Sequence, residues 1–416
     1  MTVGTTWSGH HRYAATTLHH PRTLAELRDV VARAPRIRAL GTRHAFNDLA
    51  DGPELVSLDA MPSEVRIDPE TETVSVSAGA RYGELAVALQ RAGFALRNLA
   101  SLPHISVGGA IATGTHGSGD RNGTLSRAVT ALELVLADGQ VRTITPVDPD
   151  FDGVVVGLGA LGIVARVTLD IEPTFDVRQD VYEGLTWSVL LDHLDAIMAR
   201  AYSVSVFTRW RGEDVGQVWL KSAIGERKPP QSLHGAAPVL GPRHPIPDVT
   251  AEVAAATATA QAGAPGAWLD RLPHFRLDHT PSHGDELQSE YFVPRTHAVA
   301  ALIAVRELAS RIEPLLYVSE LRTIAADSLW LSGAYGEDVL GIHFTWHGKP
   351  EEVRALLPAI EEALAPFSPR PHWAKLFDRV APSAYPRWDD FVDLAARLDP
   401  DGVFRNDFLA QHGLVR

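Results

Sequence analysis

Two short stretches carry side chains whose types and spacing suit chemistry on a polar small molecule. In Glu320-Leu321-Arg322 the acid and the base stand two residues apart, so an extended strand puts them on one face. His343 and Thr345 repeat that spacing, alternating with Ile342, Phe344 and Trp346. Charged and polar groups set among apolar neighbours are costly to bury unless something pairs with them. Three readings follow: a pocket for a polar ligand, a Glu–Arg pair buried for packing, or a solvent-facing sheet. A third stretch, Gly41-Thr42-Arg43-His44-Ala45-Phe46-Asn47, follows a strand-like run over residues 36–40. Successive backbone N–H groups in such a loop form a nest for an anion such as a pyrophosphate.

Residues 98–119 are the next informative segment. Small residues dominate it: Ala100, Ser101, Ser106, Gly108, Gly109, Ala112, Thr113, Gly114, Thr115, Gly117, Ser118 and Gly119. So much glycine is entropically costly in a core helix, which excludes an ordinary one here. Close approach of backbone to something large and polar is the better reading. The alternative, a long flexible loop, sits badly with Ile105, Val107 and Ile111. Gly157-Leu158-Gly159-Ala160-Leu161-Gly162 matches G-x-G-x-x-G, the mark of a dinucleotide fold when a helix opens at it. Residues 163–171 instead alternate as a strand, so a tight turn is expected.

The elements that must position these residues divide the chain in two. Thr23 to Glu26 reads as a capping box before a helical stripe of Leu24, Leu27, Val30 and Val31. Residues 65–67, 73–77, 129–136, 141–145 and 164–171 read as strands, the middle pair joined through Asp138-Gly139 as a hairpin. Residues 82–92 form a second amphipathic helix. After Pro173 the texture changes. Strands over 203–210, 218–221, 318–324 and 341–346 and helices over 296–312 and 351–364 suggest an antiparallel sheet with helices on one face. Residues 225–247, rich in Pro, Gly and His, form a long connection. The fold class is α+β, with a boundary near Pro173.

The chain has 416 residues, too many for one simple core, so two domains are expected. Its formal net charge of -13 argues against nucleic acid and anionic membrane surfaces. It has no cysteine, which excludes disulfides, thiolate catalysis and thiolate-bound metal. The paired histidines His10-His11 and His19-His20 lack metal-ligand spacing, so no metal is expected. No stretch reaches the ~18 apolar residues of a membrane span. A soluble, cytoplasmic monomer is the expectation.

Taken together, residues 41–47, Ser101-Leu102-Pro103-His104-Ile105-Ser106, Gly114-Thr115-His116-Gly117 and residues 159–162 resemble the FAD domain of the vanillyl-alcohol-oxidase (VAO) superfamily. Residues 399–406, Asp-Pro-Asp-Gly-Val-Phe-Arg-Asn, resemble the closing motif of its sugar-oxidising branch, and the alditol oxidases most of all. The resemblance implies a two-domain flavoprotein: an FAD-binding domain over 1–173, a substrate-binding cap over 174–375 and a segment over 376–416 that returns to the first. It implies FAD joined covalently to His44. It assigns cofactor contacts to residues 41–47, Ser101, Ser106, Gly109, Thr113, Gly114, Thr115, His116, Gly162, Val164 and His372. Arg43 stands where much of the superfamily has glycine; it either pairs with the pyrophosphate or constrains the turn.

The resemblance also implies substrate contacts at Ser101, Gln288, Glu320, Arg322, Thr345 and Lys375. A polyol offers on every carbon a hydroxyl that both donates and accepts, and such a pocket suits it. The implied reaction oxidises a terminal alcohol of an alditol by hydride transfer to flavin, with oxygen reduced to hydrogen peroxide. Arg322 and Lys375 would stabilise developing negative charge, and His343 would take the hydroxyl proton. Ala100 matches a position bordering the oxygen path. The alternatives are an aldonolactone oxidase or dehydrogenase of the same superfamily, and a non-catalytic flavin- or sugar-binding protein.

Overall fold

A computed structural model describes residues 3–279 and 284–416. The chain opens with a small parallel sheet in the order Thr17–His19, Glu54–Val56, Ile37–Ala39. Helix Leu24–Arg33 connects the first and last of these. Thr23 caps it, its hydroxyl accepting from the Glu26 N–H at 3.1 Å, a bond of about 1 kcal/mol. The Glu26 carboxylate reaches back one residue further than a standard box, accepting from the Arg22 N–H at 2.7 Å. Leu27 and Val31, one turn apart, bury the helix's apolar stripe.

A five-stranded antiparallel sheet follows, in the order Arg66–Asp68, Thr73–Ser77, Ile163–Asp170, Val129–Val135, Val141–Ile144. The hairpin at Asp138-Gly139 closes its last pair, with Gly139 at φ +77°. Residues 157–162 lead into a strand and not a helix. Gly162 has φ +149°, and a Cβ there would stand 2.7 Å from Leu134 Cγ. The glycine lets two strands meet.

The glycine-rich segment departs from the sequence expectation, because Val107–Ala112 forms a short helix with Val107, Ala110 and Ile111 buried. At Gly108 a Cβ would stand 2.8 Å from the Ala78 Cβ and 3.1 Å from the Ala78 carbonyl oxygen. Here the backbone itself packs on its neighbour. That contact offsets the roughly 0.5–1 kcal/mol that a helical glycine costs.

The second half is built on a nine-stranded sheet whose strand pairs are antiparallel. Its centre runs Ser203–Thr208, Leu316–Ile324, Val339–Trp346, Leu287–Pro294. Ile342, Phe344 and Trp346 point into a core shared with helices Trp187–Met198, Ala298–Glu307 and Pro350–Leu364. The helix expected over 296–312 is split at Leu308 into Ala298–Glu307 and Ala309–Ile312. The opposite face carries the residues singled out for chemistry.

The C-terminal stretch packs into the core of the first half through Tyr385, Phe391, Phe404 and Phe408. Polar clamps fix it there. Arg38, 2% exposed, donates to the carbonyls of Leu49, Leu158, Gly159 and Phe404. Asn406 donates to the carbonyls of Leu49 and Asp51, and Asp399 accepts from the N–H groups of Val403 and Phe404. The motif at 399–406 therefore ties the chain end to the loop after residue 47. It is not itself part of the cavity wall.

Candidate active site and cofactor cleft

A cavity of about 1100 Å³ lies between the two halves. That is beyond the common range for one drug-sized ligand, about 300–1,000 Å³, and leaves room for a large cofactor beside a small substrate. Its walls differ in kind.

One wall is backbone and small side chains: Gly41, Thr42, Arg43, His44, Ala45 and Phe46, then Ser106, Gly109, Thr113, Thr115, Gly162 and Val164. Among the described residues, the N–H groups of residues 41–45 make no hydrogen bond, although the next, Phe46, donates to the Ala374 carbonyl at 2.8 Å. Five consecutive N–H groups left free among the described residues suit an anion such as a pyrophosphate. This donor set and the glycine-lined wall fit FAD.

His44 sits on that wall. Its ring stacks on Trp7 at 5.3 Å, and Nδ1 lies 3.1 Å from Thr42 Oγ1. Burial pushes its pKa down to about 4, so the imidazole is neutral at pH 7. Sequence reasoning missed Trp7, which nothing local marks as special.

Arg43 has φ +66°, the left-handed conformation in which glycine is at ease. That accounts for glycine as the usual residue here. Its guanidinium turns to the N-terminal segment, donating to the carbonyls of Val3 at 2.8 Å and Thr5 at 3.4 Å. Of the two roles expected for it, the geometry matches the constrained turn. Two other expected contacts, Asn47 and Gly114, lie off the cavity wall. Asn47 donates to the carbonyls of Trp373 and Lys375 and so fixes the loop that carries Lys375. Gly114 supplies a turn at φ +65°. Phe46 lines the cavity only in part, since its ring belongs to the core of the second half.

The other wall is charged. Ser101, Gln288, Glu320, Arg322, His343, Thr345, His372 and Lys375 all line it. Pairing register explains the convergence. Glu290, His343 and Glu320 lie directly opposite one another on three adjacent strands, with Gln288 opposite Thr345 in the next row. Alternation along each strand then puts Arg322 on the same face.

Glu290 is at the centre and was not singled out from the sequence. Its carboxylate lies 2.6 Å from Lys375 Nζ, 2.9 Å from an Arg322 nitrogen and 3.2 Å from His116 Nε2. Burial alone would raise its pKa, but Lys375, His116 and Arg322 hold it well below the usual carboxylate range. The signal was available, since Gln288 and Glu290 repeat the two-residue spacing of Glu320 and Arg322. His116, expected at the cofactor, turns its ring into this cluster and is 2% exposed. His116, Glu290 and His372 also lie close enough together to hold a metal ion. Lys375 and Arg322 already occupy the carboxylate, and the arrangement reads as an ion-pair network.

Burial lowers the Lys375 pKa to about 8, with Glu290 opposing the shift. Burial, and then Lys375, drives His343 well below 6.5, so it is neutral. Its Nε2 lies 3.0 Å from the Gln288 side-chain oxygen, while Nδ1 is buried without a partner among the described residues. If Gln288 accepts from Nε2–H, the free lone pair is on Nδ1. Arg322 also donates to Ser101 Oγ at 3.3 Å, tying the sheet to the glycine-rich segment. Its Nε has no hydrogen bond among the described residues and lies 3.6 Å from Glu320 Oε2.

Among the described residues, no helix is long and apolar enough to cross a membrane. A family model described as an FAD binding domain matches residues 16–145, and one described as D-arabinono-1,4-lactone oxidase matches residues 246–412. An alditol oxidase of Streptomyces sp. (strain IKD472 / FERM P-14339) is 46% identical over 98% of each chain. An L-gulono-1,4-lactone dehydrogenase of Mycobacterium tuberculosis is 29% identical, also over 98% of each chain. The crystal structure of cholesterol oxidase from B. sterolicum superposes with a TM-score of 0.78 at 17% identity, covering 98% of this chain and 96% of that one. At that identity the likeness speaks for the fold alone, an α+β chain whose first half matches the FAD binding domain and whose second half is rich in sheet. By its full-length identity with the Streptomyces enzyme, the chain belongs to the alditol oxidase family of FAD-dependent oxidoreductases.

Proposed function

We propose that the protein oxidises the terminal alcohol of a linear alditol of the xylitol or sorbitol type, with FAD held covalently through His44. The products are the aldose and hydrogen peroxide, so two electrons and two protons pass from the alcohol to oxygen. The observation that carries this reading is the pairing of walls in one cavity. A run of free N–H donors shares the cavity with a network of two buried carboxylates, a buried arginine and a largely covered lysine. Such a network is expensive to build for stability alone, because desolvation consumes most of its Coulombic gain. We further read the chain as an FAD domain over 1–173, a cap over 174–375 and a returning segment over 376–416.

Residues 41–45, Ser106, Thr113 and Thr115 would hold the cofactor, which when bound supplies the hydride acceptor and the route for electrons to oxygen. The protein's own part is charge and proton handling. Neutral His343, whose Nδ1 has no partner among the described residues, takes the proton of the substrate hydroxyl. Lys375 and Arg322 present fixed positive charge to the alkoxide as it develops. Glu290 holds both cations in place and keeps Lys375 more basic than burial alone would leave it. Glu320, Thr345, Gln288 and Ser101 meet the remaining hydroxyls, and Ala100 leaves a small wall at the oxygen side.

The match of residues 246–412 to a lactone oxidase model favours one second reading, oxidation of an aldonolactone. The purified protein should be yellow, and acid precipitation should leave the colour in the pellet. Oxygen uptake with xylitol or sorbitol should greatly exceed that with galactono- or gulono-lactone. Colour that stays in the supernatant would refute the covalent link, and a preference for lactone would refute the substrate.

A further inference from the structure

Beside Glu320 lie two buried groups that the reaction above does not use: His274, which lines the cavity, and Lys221 behind it. Lys221 (1% exposed) stands on strand Gln217–Ala223, and His274 (5% exposed) on the segment after the turn Trp268–Asp270. Lys221 Nζ is 3.0 Å from His274 Nδ1 and within hydrogen-bonding distance of the carbonyl oxygens of Leu272 and Pro273. Burial lowers the Lys221 pKa to about 7, with Glu320 opposing the shift, and in its ammonium form the group has three donors and no acceptor, so these three neighbours use it completely. His274 Nδ1 must then accept, which leaves the ring proton on Nε2. That atom lies 2.7 Å from Glu320 Oε1 and donates to it. Phe207 and Trp219 pack edge-on against the imidazole, with centroids at 5.5 and 5.4 Å, and hold its plane.

We propose that Lys221 and His274 are positioning residues for substrate recognition, acting through Glu320; this rests on the reading that the cavity takes a polyol. Lys221 selects the His274 tautomer, and His274 occupies Oε1 and fixes the carboxylate plane. Oε2 is left 3.6 Å from Arg322 Nε, a donor without a partner among the described residues. A hydroxyl between the two donates to Oε2 and accepts from Nε–H. Only a group able to do both satisfies the pair, so the device selects for a hydroxyl at that carbon.

The test is stopped-flow reduction of the holoenzyme by xylitol under anaerobic conditions. It separates the substrate dissociation constant from the limiting reduction rate. In His274→Phe and Lys221→Met the dissociation constant should rise about tenfold or more, as for loss of a bond to a charged group, and the limiting rate should stay within about threefold. His274→Gln, which offers a carbonyl to Lys221 and an N–H to Glu320, should restore most of the affinity. In a Glu320→Gln background, His274→Gln and Lys221→Met should have little further effect, because the sites act as one unit. Flavin absorbance confirms that each variant is folded and loaded. If His274→Phe does not load, the cycle with Lys221→Met and His274→Gln decides. Additive losses, or a dissociation constant unchanged within twofold, overturn the positioning role while leaving the polyol reading intact. A wild-type protein that no polyol reduces overturns that reading and this inference together.

Discussion

Along residues 41–46 and 106–115 the cavity is lined by backbone and small side chains, whereas strands Leu287–Pro294, Leu316–Ile324 and Val339–Trp346 line it with charged and polar side chains. The first wall offers donors that are fixed in the chain and carry no formal charge. The second offers side-chain charges that have to be balanced: Lys375 and Arg322 against Glu290 and Glu320. A permanent ligand suits the first wall, since rigid backbone needs no rearrangement. A substrate that arrives and leaves suits the second, where preorganised charge acts on the reacting atoms. The contrast also locates sensitivity. On the cofactor wall, shape is vulnerable; on the substrate wall, charge is.

Three experiments would sharpen or break that division. The largest effect is expected at Lys375→Met, which removes a cation 2.6 Å from Glu290 while keeping the side chain's bulk. Flavin reduction measured by stopped flow should slow by about 10²–10³-fold, the loss typical of one preorganised charge-stabilising group. Flavin content should be unchanged; reduction at the wild-type rate would remove Lys375 from the reaction.

A smaller and different effect is expected on the other wall. At Gly79 a Cβ would stand 2.6 Å from the Leu58 carbonyl oxygen and 2.9 Å from the Leu58 carbonyl carbon, so backbone must shift. Gly79→Ala should lower stability by about 1–3 kcal/mol in denaturant unfolding, the usual range for overpacking. It should also lower the flavin-loaded fraction. The loaded molecules should bind polyol as the wild type does. A raised KM in that fraction would show that the walls are not independent.

The smallest effect is in the pH profile. Lys375 loses its charge as pH rises through about 8. kcat/KM should therefore fall above about pH 8, by up to tenfold per unit, and Lys375→Met should lack this limb. His343 is held neutral well below 6.5, so no matching loss is expected between pH 7 and 6. Stability has its own acid limb. His244 and His274 are depressed to about 4, chiefly by burial. Below about pH 6.5 the unfolded chain binds protons that the folded chain refuses. The histidine contribution, fully present above that pH, is lost progressively as pH falls toward 4. Thermal melts across this range would show it as a falling Tm.

Local rules made several elements legible. Thr23 before an apolar stripe, Asp138-Gly139 between alternating runs and the strand after Gly162 all depend on neighbours within a few residues. So did the pairs Glu320/Arg322 and His343/Thr345, because period two is a property of the strand itself. The short helix Val107–Ala112 was missed for the converse reason. Its Gly108 packs against Ala78, 30 residues away in sequence, a contact that no local pattern announces.

The sequence by itself determined which residues share a strand face and where the first helix starts. Each of those follows from short-range geometry. Only the tertiary structure decided that Glu290, His116, His274 and Lys221 join the same charged cluster, that Arg43 turns to the N-terminal segment, and that Asn47 braces the Lys375 loop. The physical reason is that a buried charge is defined by its partners. Those partners come from separate strands and loops, 32 residues apart for Glu290 and Arg322 and 85 for Glu290 and Lys375, which no local spacing encodes.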